Sequence, residues 1–266
     1  MGKLMRKVAS VWRKFSPARY AYPAQDVTLG HSQLHLVGSI HMGTQTMMPL
    51  PAALQSQLDR ADALIVEADI TSGASPFSES EVCSPLAERL SAEQMIRLHR
   101  LCEEVAIDSE VIDRLPAWQV ALMLQAQQAQ RLGLRADYGI DFQLLKAARA
   151  QQKKVIELEG PKTQLALLKS LPDNGITLLE DTLTHWHTNA RLLQTMVSWW
   201  LESAPASNRT ALPSTFNRAL NDVLMLQRNQ RWCQALHELP PGRYVVAVGA
   251  LHLYGEGNLP DLLKSR

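Results

Sequence analysis

Cysteine is scarce and unpatterned in this chain. Only Cys83, Cys102 and Cys233 are present, an odd and widely spaced set with no C-x-x-C pair. That excludes a disulfide scaffold and gives no sign of a cysteine-based zinc site or of thiol exchange. A reducing, cytoplasmic compartment is the expectation. Neither sign of charge is in excess, since 27 Lys and Arg stand against 26 Asp and Glu. No basic field is available to hold a phosphate backbone, so nucleic acid is not an expected partner. No uncharged run reaches the length of a membrane span. The basic N-terminus MGKLMRKVASVWRKFSPARY is interrupted by Arg6, Lys7, Arg13 and Lys14 before a signal-peptide core can form. Also absent are a G-x-S-x-G elbow, a P-loop, a G-x-G-x-x-G after a strand and an H-E-x-x-H. The usual serine-hydrolase, nucleotide-binding and zincin readings go with them.

What is present is a globular composition, 46% hydrophobic and 20% charged over 266 residues. That suits a single soluble domain spanning residues 1–266 with a substantial core. Within residues 1–20, Leu4, Val8, Val11 or Trp12, and Phe15 recur at helical spacing, with Lys3, Lys7 and Lys14 on other faces. A short amphipathic helix packed on its own domain is expected there, with weak contact to an anionic membrane surface as the alternative.

Four short apolar runs predict buried strands: Leu34 to Val37, Ala63 to Val66, Val155 to Leu158, and Tyr244 to Val248. Helical stretches fill the gaps. Ser91 and Gln94 form the glutamine version of a capping box, and Pro116 opens a second helix that Gly133 stops. Longer helices are predicted from Ile176 to Leu201 and from Ser214 to Leu239, joined by the loop SAPASNRTALP. Together these predict an α/β fold: a mixed or mainly parallel central sheet flanked by helices, with a large helical insertion between strands.

In such sheets ligands gather beyond the carboxyl ends of the strands. The predicted exits read Gly38-Ser39-Ile40-His41, Glu67-Ala68-Asp69, Glu159-Gly160 and Gly249-Ala250-Leu251-His252, each carrying an acid or a histidine. With 13 Gly and 8 His, chance supplies about 0.4 occurrences of G-x-x-H, so two in the same strand-exit context are informative. Glycine allows close backbone approach, and the histidine after it can point into a cleft with a ring nitrogen free. Glu67 follows four apolar residues, where desolvation would raise its pKa unless a cation compensates. Glu159 has a competing reading as a salt-bridge partner of Lys153 or Lys154. If His41 and His252 share a site, their two turns must lie side by side.

The order and spacing of VGSIHMG, IVEAD, Tyr138-Gly139-Ile140-Asp141, ELEG, Arg228-Asn229 and VGALHLYGEGNLPDLL resemble the TraB/GumN family, related to TIKI-type proteases and more distantly to the erythromycin esterase and ChaN-like fold. The resemblance covers nearly the whole chain. It implies a metal-dependent hydrolase acting on a peptide or related amide bond, with His41, Glu67 and His252 holding a divalent ion (zinc, manganese or cobalt). Glu159 is then the candidate general base. Arg228 and Asn229 stabilise developing charge or orient substrate, and Tyr138 and Asp141 lie toward the substrate. One departure from the family pattern is Gln227, where an acid usually precedes the Arg-Asn pair.

Two rival readings keep the fold. In the first, a metal-free hydrolase uses one histidine as general base toward water, oriented by Glu67. In the second, the protein binds haem or a peptide without turnover, because fold does not fix chemistry.

Overall fold

The computed structural model describes residues 20–71, 81–210, 212–213 and 216–265. The expected N-terminal helix lies outside the described residues, Tyr20 apart.

Five strands form one sheet: β1 (Ala24–Leu29), β2 (Ser32–Ser39), β3 (Ala63–Val66), β4 (Lys154–Glu157) and β5 (Arg243–Gly249). Four are those expected from their apolar runs. The fifth, β1, has only Val27 fully buried. It is an edge strand paired antiparallel to β2, and one wet face replaces the apolar run by which a buried strand is recognised. A two-residue turn joins the pair, with Gly30 at φ +55°.

The spatial order is β1-β2-β5-β3-β4. β2, β5, β3 and β4 run parallel. The last strand of the chain therefore enters the middle of the sheet and lies directly beside β2. Ser39 pairs with Gly249 and Val66 with Ala247, so the strands finish level with one another. The two G-x-x-H turns leave the sheet as neighbours, as a shared site requires.

Helices of more than one turn are α1 (Ala52–Arg60), α2 (Ala92–Val105), α3 (Ala117–Arg131), α4 (Ile140–Ala150), α5 (Pro161–Lys169), α6 (Ile176–Thr184), α7 (Trp186–Leu201), α8 (Gln227–His237) and α9 (Leu259–Lys264). Ser91 and Gln94 close the expected capping box at the start of α2. The helix predicted from Ile176 to Leu201 is two, parted at His185 (φ −100°, ψ 20°). The break accompanies the burial of Trp186, whose carbonyl accepts from Gln128 Nε2 at 2.9 Å. The last long helix begins at Arg218, after a loop, and widens into a π turn over Asp222–Leu226 before α8. Ser214 and Thr215, where it was expected to begin, lie outside the described residues.

Two apolar clusters hold these layers. Leu36, Val37, Leu64, Ile65, Val246 and Val248 of the sheet pack with Leu54, Leu58, Leu144 and Trp232. Leu98, Leu101, Trp118, Leu124, Leu179 and Trp186 make a second cluster in the helical layer. Full burial of each such side chain contributes about 1.5–3 kcal/mol. Among the described residues no helix is long and apolar enough to cross a membrane.

Candidate active site

The first G-x-x-H turn is fastened to the segment before α4. Ile140 N donates to the Ile40 carbonyl at 2.9 Å, and Gly43 and Arg135 exchange backbone hydrogen bonds. Glycine is required on both sides of this contact. A Cβ at Gly43 would run into the Tyr138 carbonyl, and one at Gly139 into the carbonyl of His41. The close approach brings Asp141, in the first turn of α4, onto His41.

The Asp141 carboxylate accepts from His41 Nδ1. Asp141 is buried, its side chain 8% exposed, whereas that of His41 is 65% exposed. The imidazole is thus fixed on its inner nitrogen and open on its outer one. The charge of Asp141 raises the His41 pKa to about 9. Asp141 was expected toward the substrate; it lines the cleft, and its carboxylate is the partner of His41. That role belonged to Glu67 in the metal-free reading. Tyr138 meets the loop through its main chain, its carbonyl accepting from Gln143 Nε2 at 3.0 Å.

The second turn is built differently. His252 sits on a 3-10 turn, Ala250–Leu253, and is buried. Its Nδ1 lies 2.7 Å from Asn229 Oδ1, while Asn229 Nδ2 donates to the Gly257 carbonyl at 2.9 Å. The amide is therefore oriented by its second bond, so His252 carries its proton on Nδ1 and a lone pair on Nε2. Burial lowers the His252 pKa to about 4, against the opposing charge of Glu67. Asn229 acts on the histidine, not toward open solvent.

Glu67 and Glu159 meet between the turns. Glu67 Oε1 accepts from Gly249 N at 2.6 Å, and Oε2 accepts from Arg228 Nη2 at 2.5 Å and Gln164 Nε2 at 3.3 Å. Burial would raise the Glu67 pKa, but the positive charges of His252, Arg228 and His41 and the Gly249 N–H outweigh it and bring it to about 2. Since His252 is neutral at pH 7, Arg228 is the lasting partner there. Arg228 also grips Glu159, from Nε at 3.0 Å and Nη2 at 2.9 Å. Its Nη1 lies 3.3 Å from His252 Nε2 and donates to the Leu224 carbonyl at 3.3 Å.

Glu159 pairs with Arg228 and, at 3.8 Å, Arg231. Among the described residues no ion pair joins it to Lys153 or Lys154, and Lys153 Nζ donates to the Ala61 carbonyl instead. Gln227 turns away, its Nε2 donating to Asp222 Oδ2 at 2.7 Å. The carboxylates that fix Arg228 come from other strands, so an acid at position 227 is not needed for that purpose.

Two residues here went unremarked in the sequence. Trp232 lies under the Arg228 guanidinium, 4.6 Å from it, and its ring is 4.4 Å from that of His252. Its position four residues after Arg228 on one helix was the available signal. Gln164 had none.

A divalent ion held by His41, Glu67 and His252 can be set against this arrangement. The donor types suit one. Each histidine has Nδ1 bound to an acceptor, as metal-ligating imidazoles commonly do. The arrangement does not suit one, because the Arg228 guanidinium stands between Glu67 Oε2 and His252 Nε2. Among the described residues no three His, Cys, Asp or Glu side chains converge as a metal cage.

His41, Glu67, Asp141 and Gln164 line a small cleft together with Ser39 and Ile70. A larger cavity, about 390 Å³, lies at the amino ends of the strands beside Asp26, His35, Gln57, Arg60 and Arg243. There His35 and Asp26 bond each other and Tyr22 and Tyr20. That network is internally satisfied, and the cleft at the strand exits is where open and fixed titratable groups coincide.

A stability prediction follows from His252. Its pKa is depressed on folding, so the unfolded chain binds the extra proton between about pH 6.5 and 4, and stability falls as pH falls through that window. The loss should reach on the order of 3 kcal/mol at pH 4 relative to pH 7. Urea unfolding midpoints measured across the window should fall less steeply for His252→Asn than for the parent. An identical slope in the two would remove His252 as the cause.

The TraB/PrgY/gumN family model matches residues 24–266. Two relatives are called "Uncharacterized protein YbaP", one from Escherichia coli and one from Shigella flexneri. Each is 55% identical over 262 residues, covering 98% of this chain and 99% of the relative. No solved structure matches the chain.

Proposed function

This chain belongs to the TraB/PrgY/gumN family, and from that premise we propose that it is a hydrolase in whose cleft the His41–Asp141 pair moves a proton to and from water. The observation that carries this is the asymmetry of His41. Its Nδ1 is bound by buried Asp141 while the rest of the ring lies open in the cleft. That is the geometry of a general base held by an orienting acid.

Neutral His41 takes a proton from water at Nε2 as the water oxygen bonds to the carbonyl carbon. It then gives that proton to the leaving nitrogen as the C–N bond breaks, leaving a carboxylic acid and an amine. The carboxylates of Asp141 and Glu67 favour the imidazolium formed in between. Glu159, with both oxygens on Arg228, serves to hold the arginine rather than to take a proton. The amide substrate class rests on the family resemblance alone. A divalent ion is the rival way of activating the water.

The test is digestion of a peptide library by the full chain, once in chelator and once with added Mn²⁺, Co²⁺ or Zn²⁺, beside His41→Gln. Cleavage in chelator that His41→Gln abolishes is expected. Cleavage only with an added ion would favour the metal-dependent form. A haem Soret band on titration, with no cleavage under any condition, would sink the hydrolase reading.

A further inference from the structure

Glu67 and Glu159 are two buried carboxylates at adjoining strand exits, and Arg228 is the cation that bonds both. Its guanidinium is gripped on every side. Glu159 holds the Nε edge, Glu67 accepts from Nη2, and Leu224 and His252 meet Nη1. The Trp232 ring supports the planar face at 4.6 Å. An arginine that swung in by accident would not meet so full a set of acceptors, one of them a carbonyl in a π turn of its own helix.

His252 is turned to the same guanidinium. Asn229 keeps its proton on Nδ1, so the Nε2 lone pair faces Arg228. A lone pair and a carboxylate oxygen that would each suit a divalent ion are thus both turned to one guanidinium. We propose that Arg228 is the resident cation of this site and competes with a divalent metal ion for Glu67 and His252. Like charges in a partly dry space repel strongly, so an ion can reach those donors only as the guanidinium leaves them. The inference rests on the same residues as the hydrolase reading. Ion uptake is read without substrate, so a chain that cleaves nothing still returns an answer here.

The experiment is equilibrium dialysis of the full chain against Mn²⁺, with metal analysis, for the parent, Arg228→Met, Arg228→Lys and the double variant Arg228→Met/His252→Ala. Arg228→Met should bind one ion at least tenfold more tightly than the parent. Arg228→Lys, which keeps a charge but loses the planar fork, should fall between them. The double variant should lose the gain. Should Arg228→Met fold only when Mn²⁺ is present, with an unfolding midpoint that rises with the ion, the ion has taken the guanidinium's place and the inference stands. Equal or weaker binding by Arg228→Met overturns it, as does a gain that survives the His252→Ala change. Failure of Arg228→Met to fold at any Mn²⁺ concentration, together with Arg228→Lys binding no more tightly than the parent, overturns it too.

Discussion

Asp141→Asn should lower the hydrolytic rate by roughly 10²–10⁴-fold, the range for disabling a positioned acid–base group, while leaving the fold in place. The isosteric amide keeps the contact with His41 but withdraws the charge that raises its pKa to about 9. A general base works when unprotonated, so the parent's rate should climb with pH toward about 9. In Asp141→Asn the imidazole loses its proton more readily, so the climb should move to lower pH even as its plateau falls. A purely structural Asp141 would lower the plateau without moving the limb. Rates measured from pH 5 to pH 10 on any cleaved peptide decide between them, and an unmoved limb would remove Asp141 from the proton transfer. Stability behaves in the opposite sense. The pair favours the protonated imidazole, so its contribution is complete below about pH 6.5 and fades as pH rises through about 9. Because the ring is largely open to solvent, that contribution is small.

The second large effect is on stability. Arg228→Met in chelator should cost about 3–5 kcal/mol at pH 7, the range for removing one partner of a buried ion pair and leaving the other uncompensated. Glu67 and Glu159 would both be left, with side chains 10% and 4% exposed. With Arg228 present the Glu67 pKa lies near 2. Its stabilising contribution is then held above about pH 4.5 and lost as pH falls toward 2. Without Arg228 one of the charges that hold that pKa down is gone while burial still raises it, so the pKa rises and the folded variant takes up its proton at higher pH than the parent does. The deficit against the parent should therefore be widest at pH 7 and shrink toward pH 4. Adding Glu159→Gln to Arg228→Met should recover part of the loss, although Glu159→Gln alone destabilises the parent. Urea midpoints for the four proteins make a double-mutant cycle. Additive losses with no change across pH would show that Arg228 contributes by packing on Trp232 and not by charge.

Burial also separates the three residues that the sequence groups together. His41 has its side chain largely open, so of the three alanine replacements that at His41 should cost the metal-free fold least. Glu67 and His252 are buried with their polar atoms bonded, and removing either strands a partner.

Strand exits, the paired G-x-x-H turns and Glu67 were legible because each is a local pattern: a run of β-branched residues, then glycine, then a group that burial alone would not tolerate. The capping box at Ser91 was legible for the same reason, since its two bonds join residues three apart. β1 was not, because a half-wet edge strand carries no apolar run.

By itself, then, the sequence determined that this is an α/β chain whose first and last exits carry histidines beside a strand-end glutamate. Only the tertiary structure decided the partners: Asp141 for His41, Asn229 for His252, and Arg228 between Glu67 and Glu159. Those pairs join residues 100, 23, 161 and 69 positions apart. Their meeting depends on β5 entering between β2 and β3 and on how α4 and α8 pack over the exits. Periodicity reports which face of an element is buried, and it carries no record of which element will lie opposite.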